Sequence, residues 1–129
     1  MATRIASYQV NRSYAPTCRV TVTVSPGPGT TVDEWMGAHA REARGIMEEA
    51  ERVALREHTK DGVPGFIPCT GGRRSVEITW PRHRHEGDQL WMEGEVFLAS
   101  YTVARVETTM AAVLKVFREG GYFLRPVEE

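Results

Sequence analysis

The stretch QLWMEGEVFLASY, residues 89–101, decides which side chains share each face of the predicted sheet. One alternating set is Leu90, Met92, Val96 and Leu98, and the other is Trp91, Glu93, Glu95, Phe97 and Tyr101. Successive side chains of a strand point to opposite faces, so the pattern predicts a strand with one apolar face and one mixed face. Because a shift of one residue would exchange the two faces, inferences about the mixed face depend on this alternation.

Outward from this strand, the hydrophobic period changes in a defined order. Alternation occurs in Arg19–Val24 and again in Ser75–Arg84, and a helical pattern from Val32 to about His58 lies between them. A second helical pattern covers about Arg105–Glu119, and a short apolar run, Tyr122–Val127, follows it. The order strand, helix, strand, strand, helix, strand predicts an α+β fold, the ferredoxin-like split β-α-β two-layer sandwich.

The first fifteen residues precede this pattern and add to it. Ala6, Tyr8 and Val10 alternate with polar residues, which indicates a further strand. Two alternatives follow: an extra edge strand on the same sheet, or an arm that pairs with a neighbouring subunit. The sequence therefore divides into an N-terminal strand or arm, residues 1–15, and a single α+β domain, residues 16–129.

Length and composition indicate one globular domain without a bulk electrostatic attraction to nucleic acid or membranes. The chain has 129 residues, of which 41% are hydrophobic and 26% are charged, and its formal net charge is −1. No apolar run approaches the roughly 20 residues that span a bilayer, and residues 1–10 lack the apolar core of a secretory signal. We therefore expect a cytoplasmic protein, or a component of a particle assembled inside the cell.

The mixed face of the sheet is the main candidate for a binding surface. Large exposed apolar patches are unusual on monomers, so its aromatic residues need a partner. The candidate interface residues are Trp91, Phe97 and Tyr101, together with Tyr8 and Tyr14 of the N-terminal segment. The alternatives are association with a second subunit, cover by the N-terminal segment of the same chain, and stacking on nucleic-acid bases. Glutamates 77, 93 and 95 on this face would repel phosphates, which makes nucleic acid an unlikely partner.

Two clusters of polar residues have weaker functional alternatives. His83 and His85 share one phase of a strand and, with Asp88, would suit a metal ion, although solvated charge is the default explanation at a hairpin tip. Arginines at four positions would suit a nucleic-acid backbone, although solvated loop charge again explains them: Arg73, Arg74, Arg82 and Arg84. No catalytic motif appears, and nothing in the sequence calls for a cofactor.

These observations favour a non-enzymatic structural or assembly subunit that associates with itself or with other proteins of a larger complex. A structural protein of a phage or other mobile element would fit this description. One alternative is a small enzyme or ligand-binding protein with a cavity between paired sheets. The other is a nucleic-acid-binding regulator. A fold of this kind hosts many activities and does not choose among them.

Overall fold

The structure is a computed structural model that describes residues 3–12, 16–25, 34, 40–58, 76–86, 89–99 and 102–127. These residues form an α+β fold with one mixed sheet and two helices. The elements are β1 (Thr3–Asn11), β2 (Thr17–Ser25), α1 (Ala40–His58), β3 (Val76–Glu86), β4 (Gln89–Ala99), α2 (Val103–Glu119) and β5 (Phe123–Pro126). The α+β class is therefore confirmed. Most of the predicted first turns of α1, in residues 32–39, lie outside the described residues, as do residues 59–75.

The four-stranded ferredoxin-like arrangement is not confirmed, because β1 lies inside the sheet. The strand order is β3-β4-β2-β1-β5, with β1 antiparallel to β2 and parallel to β5. The N-terminal segment is thus an interior strand paired on both sides, instead of an edge strand or an arm. A short connection closes the β1–β2 hairpin at low entropic cost. β5 consequently adds to the outer side of β1 rather than to β2.

The core lies between one face of the sheet and the two helices. The sheet contributes Ala6, Cys18, Val20, Val22, Val24, Met92, Val96 and Leu98, all buried. The helices contribute Ala43, Met47, Ala50 and Ala54 from α1, and Val106, Val113, Leu114 and Phe117 from α2. Alanines on the buried side of α1 let this helix approach the sheet closely. Met92, Val96 and Leu98 of the apolar set predicted for β4 therefore face the helices.

The two ends of α2 fix the direction in which β5 enters the sheet. At its start, the Thr102 hydroxyl accepts a hydrogen bond from the Arg105 amide over 3.1 Å. After its end, Gly121 adopts a left-handed φ of 85°, and the Tyr122 amide donates to the Phe117 carbonyl over 2.9 Å. This tight reversal buries Tyr122 and leaves the next residue, Phe123, on the other face of the sheet.

β3 contains a β-bulge that changes the phase of its second half. Thr79 pairs with Glu95 and Arg82 pairs with Glu93, so Trp80 and Pro81 together lie opposite Gly94. A regular alternation would place Trp80 on the core face with Ile78. The bulge ends that alternation, and Trp80 is 40% exposed. Arg82 and Arg84 consequently share the phase of Glu93 and Trp91.

Candidate interaction surface

The sheet face opposite the helices, here called the distal face, carries residues from all five described strands. The register sets its rows: Glu77, Phe97, Arg19 and Gln9; then Thr79, Glu95, Thr21, Ser7 and Arg125; then Arg82, Glu93, Thr23, Ile5 and Phe123. Trp91 begins a further row, opposite Arg84. Trp91, Glu93, Glu95 and Phe97 of the mixed set predicted for β4 thus lie on this face.

The large apolar residues of the distal face differ sharply in exposure. Phe97 is only 5% exposed although it lies on the side of the sheet away from the helices. Trp91 is half-buried. Phe123 is 66% exposed and lies beside the half-buried Ile5. Phe123 therefore offers the largest apolar surface to a partner, whereas Phe97 is already covered by its own chain.

Charges of both signs alternate across the distal face. Its described positively charged side chains are Arg19, Arg82 and Arg125, and its described negatively charged side chains are Glu77, Glu93 and Glu95. The Nε atom of Arg19 lies 3.2 Å from Oε2 of Glu95, and the Glu95 side chain is only 22% exposed. The described part of this face is therefore close to neutral and does not attract one sign of charge.

The edges of the sheet formed by the described strands carry features that oppose strand addition. β3, at one edge, is interrupted by the bulge and contains Pro81, which lacks an amide donor. β5, at the other edge, has four residues and ends at Pro126. Pro126 suits this edge position because proline has no amide donor. The described edges of the sheet are therefore poorly suited to the addition of another strand.

Two cavities lie along the distal face. One, of about 300 Å³, is beside the bulge and is lined by Thr21, Thr79, Arg82, Glu93, Gly94 and Glu95. It combines carboxylates with a guanidinium group, so its lining has no single charge preference. The other, of about 240 Å³, is lined by Gln9, Asn11, Thr17, Arg19 and Phe97. The lining of this second cavity contains a cation and neutral polar groups without a carboxylate.

The interface residues predicted from the sequence have different environments. Tyr8 is half-buried and packs against the core, on the helix side of the sheet. Tyr14 and Tyr101 lie outside the described residues. An interface role for these residues stays a prediction. Ile5 and Phe123 are not among the predicted interface residues, although each alternates with a core residue and so has the phase of the distal face.

The predicted metal and nucleic-acid residues are only partly described. His83 pairs with Met92 and His85 with Leu90, so the two histidines share a phase as expected, and the His83 side chain is exposed. Asp88, Arg73 and Arg74 lie outside the described residues. Within the described part of the chain, no group of three histidine, cysteine or acidic side chains could hold a metal ion. Arg82 is exposed and has the phase of the distal face, as does the backbone position of Arg84.

On the helix side of the sheet, burial and one ion pair raise the pKa values of Cys18, Tyr122 and Arg4. Burial raises the pKa of the Cys18 thiol to about 12, and Cys18 is a free cysteine. Burial likewise raises the pKa of Tyr122 to about 12. The hydrogen bond from Arg4 to Glu42, 2.8 Å long, raises the pKa of Arg4. Arg4 also donates to the Gly120 carbonyl over 3.1 Å and lies above the Tyr122 ring. These groups join β1 to both helices and suit a structural role.

Comparisons with protein-family models, with curated proteins and with solved structures found no match. Among the helices that the structure describes, none is long and apolar enough to cross a membrane. Any function must therefore be argued from the surfaces and cavities of this chain itself.

Proposed function

We propose that this chain is a non-enzymatic assembly subunit that associates with a second copy of itself through the distal face. The observation that carries the proposal is the exposure of Phe123, 66%, beside Ile5 on a sheet face away from both helices. An aromatic side chain with this exposure loses apolar contact with water when a second protein surface covers it. Aromatic residues are enriched in such interfaces.

The size of the distal face suits a stable dimer. Five strands spaced about 4.8 Å apart, with a rise of about 3.3 Å per residue, make a face of about 700 Å² when most strands have about ten residues. A standard protein interface buries about 800 Å² per partner. A second copy packed on most of the distal face, outside the covered Phe97, would therefore bury an area close to that of specific complexes.

The balance of charge favours a second copy as the partner. A two-fold interface places the same surface on both subunits, so a strongly acidic or basic face would repel itself. The described charged side chains of the distal face are three arginines and three glutamates. Glu77, Glu93 and Glu95 are half-buried on this face and disfavour the nucleic-acid alternative, because phosphates would approach their carboxylates.

Analytical ultracentrifugation over a concentration series tests the proposal with a matched pair of variants. Covering two thirds of a phenylalanine side chain contributes on the order of 2–3 kcal/mol, so Phe123→Thr should weaken self-association at least about tenfold. Leu55→Gln is the control, because Leu55 is 49% exposed and lies on α1, in the helix layer. This control should associate like the unaltered protein.

A second pair of variants tests whether the contact is face to face. Thr21 lies at the centre of the distal face, so Thr21→Arg should separate the subunits by steric exclusion and charge. Thr108 is exposed on α2, and Thr108→Arg should leave the dimer intact. A wild-type protein that remains monomeric at high concentration refutes the proposal. So does a dimer that responds to the helix variants rather than to the distal-face variants.

A further inference from the structure

The cavity of about 240 Å³ lies at one corner of the distal face, where β1 ends and β2 begins. The register places Gln9 beside Arg19 and Arg19 beside Phe97, and it places Asn11 beside Thr17. The five residues that line the cavity therefore come from three adjacent strands. Regular strand pairing fixes their relative positions, which is the arrangement that holds a binding site most precisely.

The lining provides hydrogen-bond donors around one positive charge. Gln9 and Asn11 contribute amides, Thr17 contributes a hydroxyl, and Arg19 contributes a guanidinium group. Guanidinium groups match the geometry of carboxylates and phosphates. Because the described residues of the cavity lining include no acidic side chain, an anionic group is the ligand that these donors would recognise.

Glu95 lies next to the cavity and limits the charge that a ligand can carry. Glu95 lies in the neighbouring row of the distal face, and its Oε2 atom is 3.2 Å from Nε of Arg19. Among the contacts that the structure describes for Arg19, this one uses Nε, so the terminal nitrogens of the guanidinium group can reach another acceptor. It also compensates part of the positive charge, so we expect the site to favour a singly charged carboxylate over a dianionic phosphate.

We propose that this corner cavity binds a small monocarboxylate whose apolar or aromatic body touches the small exposed edge of Phe97, a side chain that is 5% exposed. The carboxylate would accept hydrogen bonds from Arg19 and from the neighbouring amides, while the body of the ligand fills the remaining volume. The proposal goes beyond the proposed self-association and does not depend on it. The carboxylate could belong to a free small molecule or to an acidic side chain of the second copy, and the experiment separates these sources.

Titration with sodium benzoate, followed by amide chemical shifts in NMR spectra, tests the proposal. Benzamide is the neutral control because it has nearly the same shape. We expect saturable shifts in Gln9, Thr17 and Arg19 with benzoate, with a dissociation constant on the order of 1 mM for a ligand of this size. Benzamide should bind at least about tenfold more weakly. Equal binding of the two compounds, or shifts without saturation, overturns the proposal.

A matched pair of arginine variants locates the site. Arg19→Gln should reduce benzoate affinity at least about tenfold, whereas Arg125→Gln, an exposed arginine of the same face outside the cavity, should leave it unchanged. If Arg19→Gln fails to fold, Thr17→Val removes one donor without changing side-chain shape and should weaken binding several-fold. Equal effects of the two arginine variants, or full affinity in Thr17→Val, argue against the site.

The source of the carboxylate is decided by repeating the titration in Phe123→Thr. If benzoate binds this variant as tightly as it binds the unaltered protein and leaves the sedimentation of the dimer unchanged, the site takes a free small molecule. If benzoate dissociates the dimer and binds the variant more tightly, a carboxylate of the second copy occupies the cavity. Absence of self-association with retained benzoate binding rejects the proposed function and supports the cavity.

Discussion

The hydroxyl of Thr109 provides the sharpest test of the packing between α2 and the sheet. Thr109 is 1% exposed, and its Oγ1 atom has no hydrogen-bond partner within the part of the chain that the structure describes. Valine has nearly the same shape and lacks the hydroxyl. Thr109→Val should therefore stabilise the protein, because it removes a polar group that loses its hydrogen bonds to water on folding.

The size of this effect follows from burial and chain length. Leaving a buried polar group unsatisfied costs about 1–3 kcal/mol, and both residues are β-branched with similar helix propensities. We expect Thr109→Val to raise the free energy of unfolding by about 1–2 kcal/mol. For a chain of 129 residues, an unfolding entropy of about 2.1 cal/mol/K per residue converts this into a rise in Tm of about 4–7 °C.

Urea denaturation measures this effect directly, and Thr108 supplies a control one residue away. The Thr108 side chain is exposed, and its hydroxyl donates to the Ala104 carbonyl over 2.9 Å. The same substitution there, Thr108→Val, should be neutral or slightly destabilising. The midpoint of Thr109→Val should rise without a change in the slope m. A midpoint that falls or stays unchanged would show that the Thr109 hydroxyl is satisfied, and it would refute the reasoning.

Two further predictions concern polar and ionisable side chains on the helix side of the sheet. Arg4→Met should lower the free energy of unfolding by about 1–2 kcal/mol, because the Arg4 side chain is 25% exposed and contacts Glu42 and Gly120. Arg12→Met is the control and should cost less than about 0.5 kcal/mol, because the Arg12 side chain is 64% exposed in its ion pair with Glu107. Equal urea midpoints for the two variants would contradict this prediction. Folding raises the pKa of Cys18 from 9.0 to about 12, and that of Tyr122 from 10.0 to about 12. The folded state therefore holds both protons more tightly, so the stability they contribute is complete below pH 9 and is lost as the pH rises toward 12. Urea midpoints measured across this range should fall less steeply in Cys18→Ala than in the unaltered protein, and identical slopes would count against burial as the cause.

The sequence predicted the α+β class and the two faces of β4 because both depend on local periodicity. The alternation in residues 89–99 places Val96 in the core and Glu95 on the distal face, as the register confirms. The position of β1 could not be predicted in this way. Ala6, Tyr8 and Val10 show that a strand exists, but strand order depends on which backbone edge is available when the chain closes.

The phase of a strand can also change where the sequence gives only a weak signal. Trp80 would lie on the core face if β3 were regular, and the extra residue at the bulge removes it from that face. Pro81 is compatible with either a regular edge strand or a bulge. The two possibilities place the residues of β3 after Pro81 on opposite faces of the sheet. The corner cavity had no sequence signal at all, because it forms only once the register aligns Gln9, Arg19 and Phe97.

The difference in exposure between Phe97 and Phe123 determines which substitutions can inform about assembly. Phe97 is 5% exposed, so Phe97→Ala would lower the free energy of unfolding by about 3–5 kcal/mol. Loss of a dimer in that variant would not separate a missing contact from partial unfolding. Phe123 is 66% exposed and contributes little to the fold of a single chain. At such an exposed position, a change in association with unchanged stability identifies a contact between subunits. Trp91 is half-buried, so a Trp91 variant must be measured for both association and stability.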